Sequence, residues 1–317
     1  MFLLTFSPDG VIIYGVKQFQ KETKTMLLSV NEGYFIKRTD GTKRTLTEAL
    51  KLVKDFGFDA TDIGFGSLIP EYNLIYRENY LEEAKKLREY ADSIGLLINQ
   101  SHARFDFTRT SKEEYMEDML KTVEASAVLG VKNVVIHADT YYEKYGIQDA
   151  NQVCNIIYDI HAPMVELAKK RGVNIACENL FDDYRAPHNL HCRFCSRFDE
   201  LMMIVDRFNS DNVGVCWDFG HGRVGFGDDF ALDYLEKVGK KLFATHVHDN
   251  IYHQDLHSFP YLGGTDWTRA LDIIKRIGYT GAWTFELVYG CIPDELLCDF
   301  GKIFAKTGRY MIDKIEK

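Results

Sequence analysis

The chain has 317 residues, of which 46% are hydrophobic and 27% are charged. This length suits one large α/β domain or two domains of average size, and the composition excludes disordered, collagen-like and fibrous proteins. The formal net charge is −9, because 38 lysines and arginines stand against 47 aspartates and glutamates, and this charge argues against a protein that binds nucleic acid.

The first predicted element is a β-hairpin close to the N-terminus. Pro8, Asp9 and Gly10 lie between two apolar runs, and such residues are typical of the turn between antiparallel strands. We therefore predict an N-terminal β-hairpin extension over residues 1–23 and a single domain over residues 24–317.

Eight short apolar runs follow the hairpin. They begin near residues 24, 58, 94, 131, 173, 213, 241 and 281. Continuous apolar runs of this kind indicate parallel strands that are buried on both faces. The stretches between them have helical periodicity, and in the first of these stretches Thr45 and Glu48 have the spacing of a capping box.

Six of the predicted helices end in a glycine just before the next strand. These residues are Gly57, Gly95, Gly130, Gly172, Gly239 and Gly278. A helix that ends in a left-handed turn favours a residue without a Cβ, so the glycines mark six corners; Asn209 or Asn212 takes this role at a seventh. Eight β-then-α units predict a closed (β/α)8 TIM barrel of the α/β class.

Carboxylates and a histidine stand where a TIM barrel has its active site, at the ends of the strands. Glu178, Asp218, His246 and Glu286 end four consecutive predicted strands. Buried carboxylates repel one another unless a cation compensates their charge. Three carboxylates and one imidazole suit Mn²⁺, Mg²⁺ or Co²⁺ and tolerate Zn²⁺. We therefore predict that these four residues bind one divalent metal ion.

A second histidine, His248, follows His246 by two residues. We expect one of the two to face away from the barrel interior, or both to lie beyond the strand. His246 is the predicted ligand because it is nearer to the strand. Arg104, Arg185 and Arg223 follow three other strands. They could bind a phosphate or carboxylate group or simply face solvent.

Six sequence segments at these strand ends carry a resemblance to a known family. They are residues 177–179 (CEN), 217–221 (WDFGH), 245–250 (THVHDN), 255–257 (DLH), 263–267 (GGTDW) and 284–287 (TFEL). Over roughly residues 24–315 the chain resembles the sugar phosphate isomerase/epimerase superfamily. Its xylose isomerase-like TIM barrels include ketose 3-epimerases and endonuclease IV.

The resemblance implies a metal-dependent isomerase or epimerase that acts on a sugar, a sugar phosphate or an inosose. In that branch, the counterparts of Glu178 and Glu286 are metal ligands and also transfer a proton next to the substrate carbonyl, through an enediolate that the metal stabilises. The counterpart of His221 holds a substrate oxygen. We expect the rest of the substrate site to be formed by His102, His137, Asp255, His257 and Arg223.

Endonuclease IV gives the alternative function, a zinc phosphodiesterase with three metal ions. Counterparts of its nine ligands are His102, His137, Glu178, Asp218, His221, His246, Asp255, His257 and Glu286. The negative net charge, and the lack of lysine or arginine in residues 250–264, favour a small carbohydrate over DNA. A barrel that binds a sugar without catalysis is a third alternative.

Two features after the strands bear on the substrate. Ketose 3-epimerases have an arginine a few residues after the histidine ligand, where this chain has Tyr252, and this difference leaves inosose dehydratase-like or unassigned isomerase chemistry open. Residues 179–197 form a long connection that we expect to cover the substrate. Cys192 and Cys195 within it could instead form a small zinc site.

The expected location of the protein is the cytoplasm. The seven cysteines are sparse and odd in number, which suits a reducing compartment, and we identify neither a membrane span nor a signal peptide. The expected partner is a small carbohydrate or sugar phosphate, with no nucleic acid and no membrane, and a homo-oligomer is compatible with the sequence.

Overall fold

The computed structural model describes residues 3–6, 12–15, 26–66, 73–105, 111–142, 149–182, 193–251, 254–287 and 292–317. The strands are β1 (Leu3–Phe6), β2 (Ile12–Gly15), β3 (Leu28–Asn31), β4 (Ala60–Gly64), β5 (Leu97–His102), β6 (Asn133–Ile136), β7 (Asn174–Glu178), β8 (Val213–Asp218), β9 (Leu242–His246) and β10 (Trp283–Phe285). The α-helices are α1 (Leu46–Asp55), α2 (Tyr80–Ser93), α3 (Lys112–Leu129), α4 (Ala150–Arg171), α5 (Phe198–Phe208), α6 (Phe219–Phe226), α7 (Asp228–Val238), α8 (Trp267–Ile277) and α9 (Asp294–Glu316).

The strands β1 and β2 form the predicted N-terminal hairpin. They pair antiparallel, with Leu3 opposite Gly15 and Phe6 opposite Ile12. The predicted turn residues, Pro8 to Gly10, lie outside the described part of the chain. The boundary at residue 23 stays a prediction.

The strands β3 to β10 form a parallel barrel, which confirms the predicted fold. Each strand from β3 to β8 pairs with the next along the chain, and β10 pairs with β3. A bridge between Val247 and Phe285 joins β9 to β10 and completes the circle. Its hydrogen bonds are Val247 N to Thr284 O (2.8 Å) and Glu286 N to Val247 O (3.3 Å). The barrel therefore closes beside two of the predicted site residues.

The corners between helices and strands follow the sequence pattern. All six predicted glycines have a positive φ, between 54° and 101°. At the seventh corner Asn209, with a φ of 45°, ends α5 in the left-handed conformation. An asparagine tolerates this conformation better than a branched residue does. The capping box of Thr45 and Glu48 is also present at the start of α1.

Side chains alternate between two environments along the barrel strands. The outward residues, such as Val134, Ile175 and Val215, belong to the main hydrophobic core with the surrounding helices. A separate small cluster fills the barrel interior; its members are Val135, Ala176, Cys216 and Ala244. In the described residues, we find no helix with the length and apolarity that a membrane crossing requires.

Candidate metal centre at the carboxyl end of the barrel

The small interior cluster lies directly below the candidate site. Residues two positions apart on a strand share a face, so the residue two positions after each member of this cluster also faces inward. These residues are His137, Glu178, Asp218 and His246. Strand periodicity therefore brings together side chains that are far apart in sequence.

Four of the predicted residues converge on one point. Ligand atoms of Glu178, Asp218, His246 and Glu286 all lie within 4.8 Å of one another. His246 Nδ1 is 3.0 Å from Glu286 Oε2, 3.2 Å from Glu178 Oε1 and 3.8 Å from Asp218 Oδ2. Glu178, Asp218 and His246 are buried, whereas Glu286 is partly exposed. These four residues form what we call the central group.

Two predicted substrate-binding histidines contact the central group from one side. His102 Nε2 and His137 Nε2 each lie 3.0 Å from Glu178 Oε2. Glu178 therefore presents one oxygen to His246 and the other to this pair of histidines. The ligand atoms of these three residues are also close enough to hold a metal ion.

A third set of side chains lies on the other side of the central group. It consists of His221, His248, Asp255 and His257, which we call the outer group. Asp255 Oδ2 lies 3.2 Å from His257 Nε2 and 3.5 Å from His221 Nε2. His221 Nδ1 is in turn 3.0 Å from Glu178 Oε1, so the outer group is continuous with the central one.

The imidazoles control the protonation of the carboxylates. Burial alone would raise the pKa of Glu178, but the neighbouring His246, His137 and His102 outweigh burial and hold that pKa well below its usual range. The pKa of Glu286 is lowered in the same way by His246 and His257. Both glutamates are therefore ionised at neutral pH.

The histidines show the reciprocal effect. Burial lowers the pKa of His246, but nearby negative groups, including Glu286 and Glu178, raise it well above the usual value. For His257 the same opposition, dominated on the raising side by Glu286 and Asp255, brings the pKa to about 9. The acidic groups thus require positive charge among them, which protons on the imidazoles or a bound cation can supply.

The central group fits a divalent metal ion. Its donors are three carboxylates and one imidazole nitrogen, a set that hard and borderline divalent cations accept. Glu286 Oε2 is buried and makes no hydrogen bond, although it points to within 3.0 Å of His246 Nδ1. A carboxylate oxygen in this position is available as a ligand.

The connection after β9 carries three members of the outer group, His248, Asp255 and His257, and Asp249 holds this connection in place. The fully buried Asp249 accepts hydrogen bonds from Thr265 Oγ1 (2.9 Å) and Trp267 Nε1 (2.9 Å). Three backbone N–H groups, of residues 250, 261 and 265, also donate to it. One carboxylate therefore fixes the path of the connection around Asp255 and His257.

Two of the arginines that follow strands make hydrogen bonds within the protein. Arg223 donates to the backbone carbonyl of Asn250 in the connection after β9. Arg104 is buried and donates to Asp118 Oδ2 at 2.7 Å. Substrate binding by Arg223 stays a prediction, and Arg185, Cys192 and Tyr252 lie outside the described residues.

Three buried residues of the site were not predicted as site residues. His248, just beyond β9, lies 2.8 Å from Asp218 Oδ1, and its two-residue spacing from His246 was the available signal. Asp62 and Gln100, on β4 and β5, lie behind His246. Their sequence surroundings are those of ordinary strand residues, so nothing in the pattern distinguished them.

Comparison with known proteins places this barrel in a family. The family model for the xylose isomerase-like TIM barrel matches residues 50–299. The chain therefore belongs to the xylose isomerase-like TIM barrel family. An uncharacterised protein y4fM from Sinorhizobium fredii is 30% identical over 186 residues, which are 57% of this chain and 54% of that protein. The chain thus matches about half the length of this relative.

Solved structures and a further relative agree with this fold. A D-tagatose 3-epimerase-like protein superposes with a TM-score of 0.69 at 20% identity, over 91% of this chain and 98% of that one. The IolI protein, whose crystal structure contains a bound zinc atom, has a TM-score of 0.65 at 21% identity, over 92% of this chain and 98% of that one. A probable endonuclease 4 from Metamycoplasma arthritidis is 21% identical over 186 residues, 54% of this chain and 63% of that protein.

Proposed function

We propose that the protein is a divalent-metal-dependent isomerase or epimerase of a small sugar, a sugar phosphate or an inosose. The observation that carries this proposal is the position of Glu178 and Glu286, whose carboxylates both lie within 3.2 Å of His246 Nδ1. Two ionised carboxylates at one potential metal position are what proton transfer next to a carbonyl requires. The similarity to a D-tagatose 3-epimerase-like protein supports this class of substrate.

The residues of the central group have two roles in this reaction, metal binding and proton transfer. A divalent cation held by Glu178, Asp218, His246 and Glu286 would act as a Lewis acid and stabilise the negative charge that develops on the substrate oxygens. One glutamate removes the proton from the carbon next to the carbonyl. In an epimerisation the other glutamate returns a proton to the opposite face, whereas in an aldose–ketose isomerisation the proton returns to the adjacent carbon.

The surrounding histidines orient the substrate and the carboxylates. His221 lies between Glu178 (3.0 Å) and Asp255 (3.5 Å), a position from which its ring can donate to a substrate hydroxyl. His102 and His137 hold the second oxygen of Glu178, which leaves the first oxygen directed at the central group. Low pKa values keep both glutamates ionised at neutral pH, which is the form that can coordinate a cation.

Exchange with solvent deuterium tests the proposal. The metal-loaded protein is incubated in D₂O with a panel of ketoses, inososes and their phosphates, and the recovered compounds are analysed by NMR. We expect deuterium at a carbon next to the carbonyl of at least one compound. The absence of exchange across the panel, with a protein that binds metal, would contradict the proposed proton transfer.

A matched pair of variants tests whether the deuterium exchange depends on the central group. Glu286→Gln removes one acid/base group while keeping its size, and we expect exchange to fall by about 10² to 10⁴. Asp272→Asn, at an exposed position on α8, is the control and should keep full exchange. Equal exchange by the two variants would show that Glu286 is not an acid/base group of this reaction.

A phosphodiesterase with three zinc ions is the second candidate, because the described residues offer ligands at three adjacent positions. The central group shares Glu178 with His102 and His137, and the outer group adjoins it through His221. Metal analysis separates the candidates. About one metal ion per chain supports the isomerase, whereas three zinc ions together with cleavage of DNA at abasic sites would support the phosphodiesterase.

A further inference from the structure

The ring of His246 lies between two different sets of groups. Its Nδ1 faces the carboxylates of the central group, at 3.0 Å from Glu286 and 3.2 Å from Glu178. Its Nε2 points the other way, to the amide of Gln100 at 2.9 Å and to Asp62 Oδ2 at 3.5 Å. The two nitrogens of one candidate ligand thus have separate partners.

Asp62 and Gln100 form a buried pair behind this ring. They are paired residues of the neighbouring strands β4 and β5, and Gln100 Nε2 donates to Asp62 Oδ2 at 2.7 Å. Their side chains are almost inaccessible to solvent, and Asp62 Oδ1 is buried without a hydrogen bond. A carboxylate in this state is costly unless a nearby proton or charge compensates it.

The orientation of the His246 ring determines which of its nitrogens carries the proton that compensates Asp62. A metal ion can bind Nδ1 only when that nitrogen carries no proton, so the neutral ring then carries its proton on Nε2. That proton needs an acceptor inside the barrel. While Gln100 Nε2 donates to Asp62, the same nitrogen faces His246 Nε2 and cannot accept its proton, so the acceptor within reach is Asp62 Oδ2, at 3.5 Å. Asp62 therefore selects the form of His246 whose Nδ1 is free.

We propose that Asp62, held in place by Gln100, is a positioning residue that directs His246 Nδ1 towards the metal position of the central group. The proposal rests on the metal centre proposed above. Asp62 lies on the far side of the ring from that position, so it acts through His246 and not as a ligand. Carboxylates that accept from the outer nitrogen of a histidine ligand typically raise metal affinity by about 10- to 100-fold.

The test measures metal affinity, which does not depend on a known substrate. Apoprotein is titrated with Co²⁺ against a coloured chelator, and the visible spectrum of the bound Co²⁺ is recorded. We expect Asp62→Asn, whose amide oxygen can still accept, to weaken binding by about tenfold and Asp62→Leu by about 100-fold. The Co²⁺ spectrum should also change, since the ring is less firmly held.

A control separates this role from general support of the fold. Asp118 is also a buried carboxylate, and it accepts from Arg104 and Tyr76 at 2.7 Å each. Asp118→Asn should lower stability but leave the Co²⁺ affinity and spectrum unchanged. If Asp62→Asn does not fold, Gln100→Met removes the group that holds Asp62 and should also weaken Co²⁺ binding by about tenfold.

The possible results can be told apart. Unchanged Co²⁺ affinity in the folded Asp62 or Gln100 variants, beside a wild-type protein that binds Co²⁺, overturns the role of Asp62 and leaves the metal centre standing. Equal weakening in Asp118→Asn also overturns it, because the effect would then come from the fold. A wild-type protein that binds no divalent ion removes the metal centre and this inference together.

Discussion

At the scale of single residues, the site is a network in which each charge depends on its neighbours. Glu178 meets His246 through one oxygen and His102 and His137 through the other. The imidazoles supply positive charge beside these carboxylates, and a metal ion can replace their protons. Such a network responds to pH as well as to metal.

Glu32, at the end of β3, provides a test of pH dependence away from the central group. Its carboxylate is buried, and its Oε1 accepts from Gly64 N at 3.0 Å. Burial, with a contribution from Asp62, raises the pKa of Glu32 from 4.5 to about 7. The folded state therefore binds this proton more tightly than the unfolded state does. The stabilisation is complete below about pH 4.5 and is lost as the pH rises through 7.

We expect Glu32→Gln to remove this pH dependence. Between pH 4.5 and pH 8 the wild-type protein should lose about 3 kcal/mol of unfolding free energy relative to the variant, which corresponds to the shift in pKa. Urea denaturation of both proteins across this range measures the difference. A constant difference between the two proteins at all pH values would show that Glu32 does not titrate in this window.

At the scale of elements, strands position most of the central group, whereas the connection after β9 carries most of the outer group. Glu178, Asp218 and His246 are the last residues of β7, β8 and β9, so the barrel itself fixes them. Asp255 and His257 lie in the connection between β9 and α8, which depends on the hydrogen bonds to Asp249. The barrel strands therefore hold the central group, whereas hydrogen bonds within a connection hold Asp255 and His257.

Asp249→Asn should loosen this connection selectively. An amide presents only one oxygen, so it leaves part of the donors from Thr265, Trp267 and the backbone without an acceptor. We expect a loss of about 1–3 kcal/mol of stability and faster hydrogen exchange in residues 254–266. Hydrogen exchange with mass spectrometry measures the effect, and the exposed Asp272→Asn is again the control. Protection of residues 254–266 equal to that of the wild type would contradict the anchoring role of Asp249.

At the scale of the whole molecule, the barrel closes without the N-terminal hairpin. The ring of β3 to β10 is complete within residues 28–285. Met26 N also donates to Glu316 Oε1 at 2.6 Å, which ties the start of the barrel to the end of α9. The boundary at residue 23 stays a prediction, which truncation can test.

Residues 26–317 should therefore fold alone. We expect the truncated protein to unfold in one cooperative transition and to bind Co²⁺ with the affinity of the full chain. Circular dichroism during urea denaturation and the chelator titration measure the two properties. Loss of cooperative unfolding on truncation would mean that the hairpin belongs to the barrel domain.

Much of this arrangement could be predicted because it follows from short-range patterns. The eight apolar runs and the glycines at the corners define the barrel, and the barrel places every strand end at one mouth. Glu178, Asp218, His246 and Glu286 could be predicted as neighbours for this reason alone. The expectation that one of His246 and His248 faces away, or that both lie beyond the strand, was wrong. The strand β9 ends at His246 and both rings contact carboxylates of the site, as a spacing of two residues along a strand predicts.

Asp62 and Gln100 show a different limit of sequence reasoning. The pairing between β4 and β5 shifts between Thr61 and Asp62, so that Asp62 comes to lie opposite Gln100. A shift of one residue in a strand changes which side chains share a face. The shift arises from the pairing of two distant segments, and neither segment alone carries a signal for it. Residues behind a ligand are therefore harder to predict than the ligand.

The shared position of Glu178 has a consequence for the genetics of the site. Because its two oxygens serve different sets of histidines, a change at Glu178 disturbs both sets at once, whereas a change at His137 or Glu286 begins in one of them. Effects of double substitutions that include Glu178 will depart from the sum of the single effects. The arrangement of the site therefore predicts epistasis centred on this one bridging carboxylate.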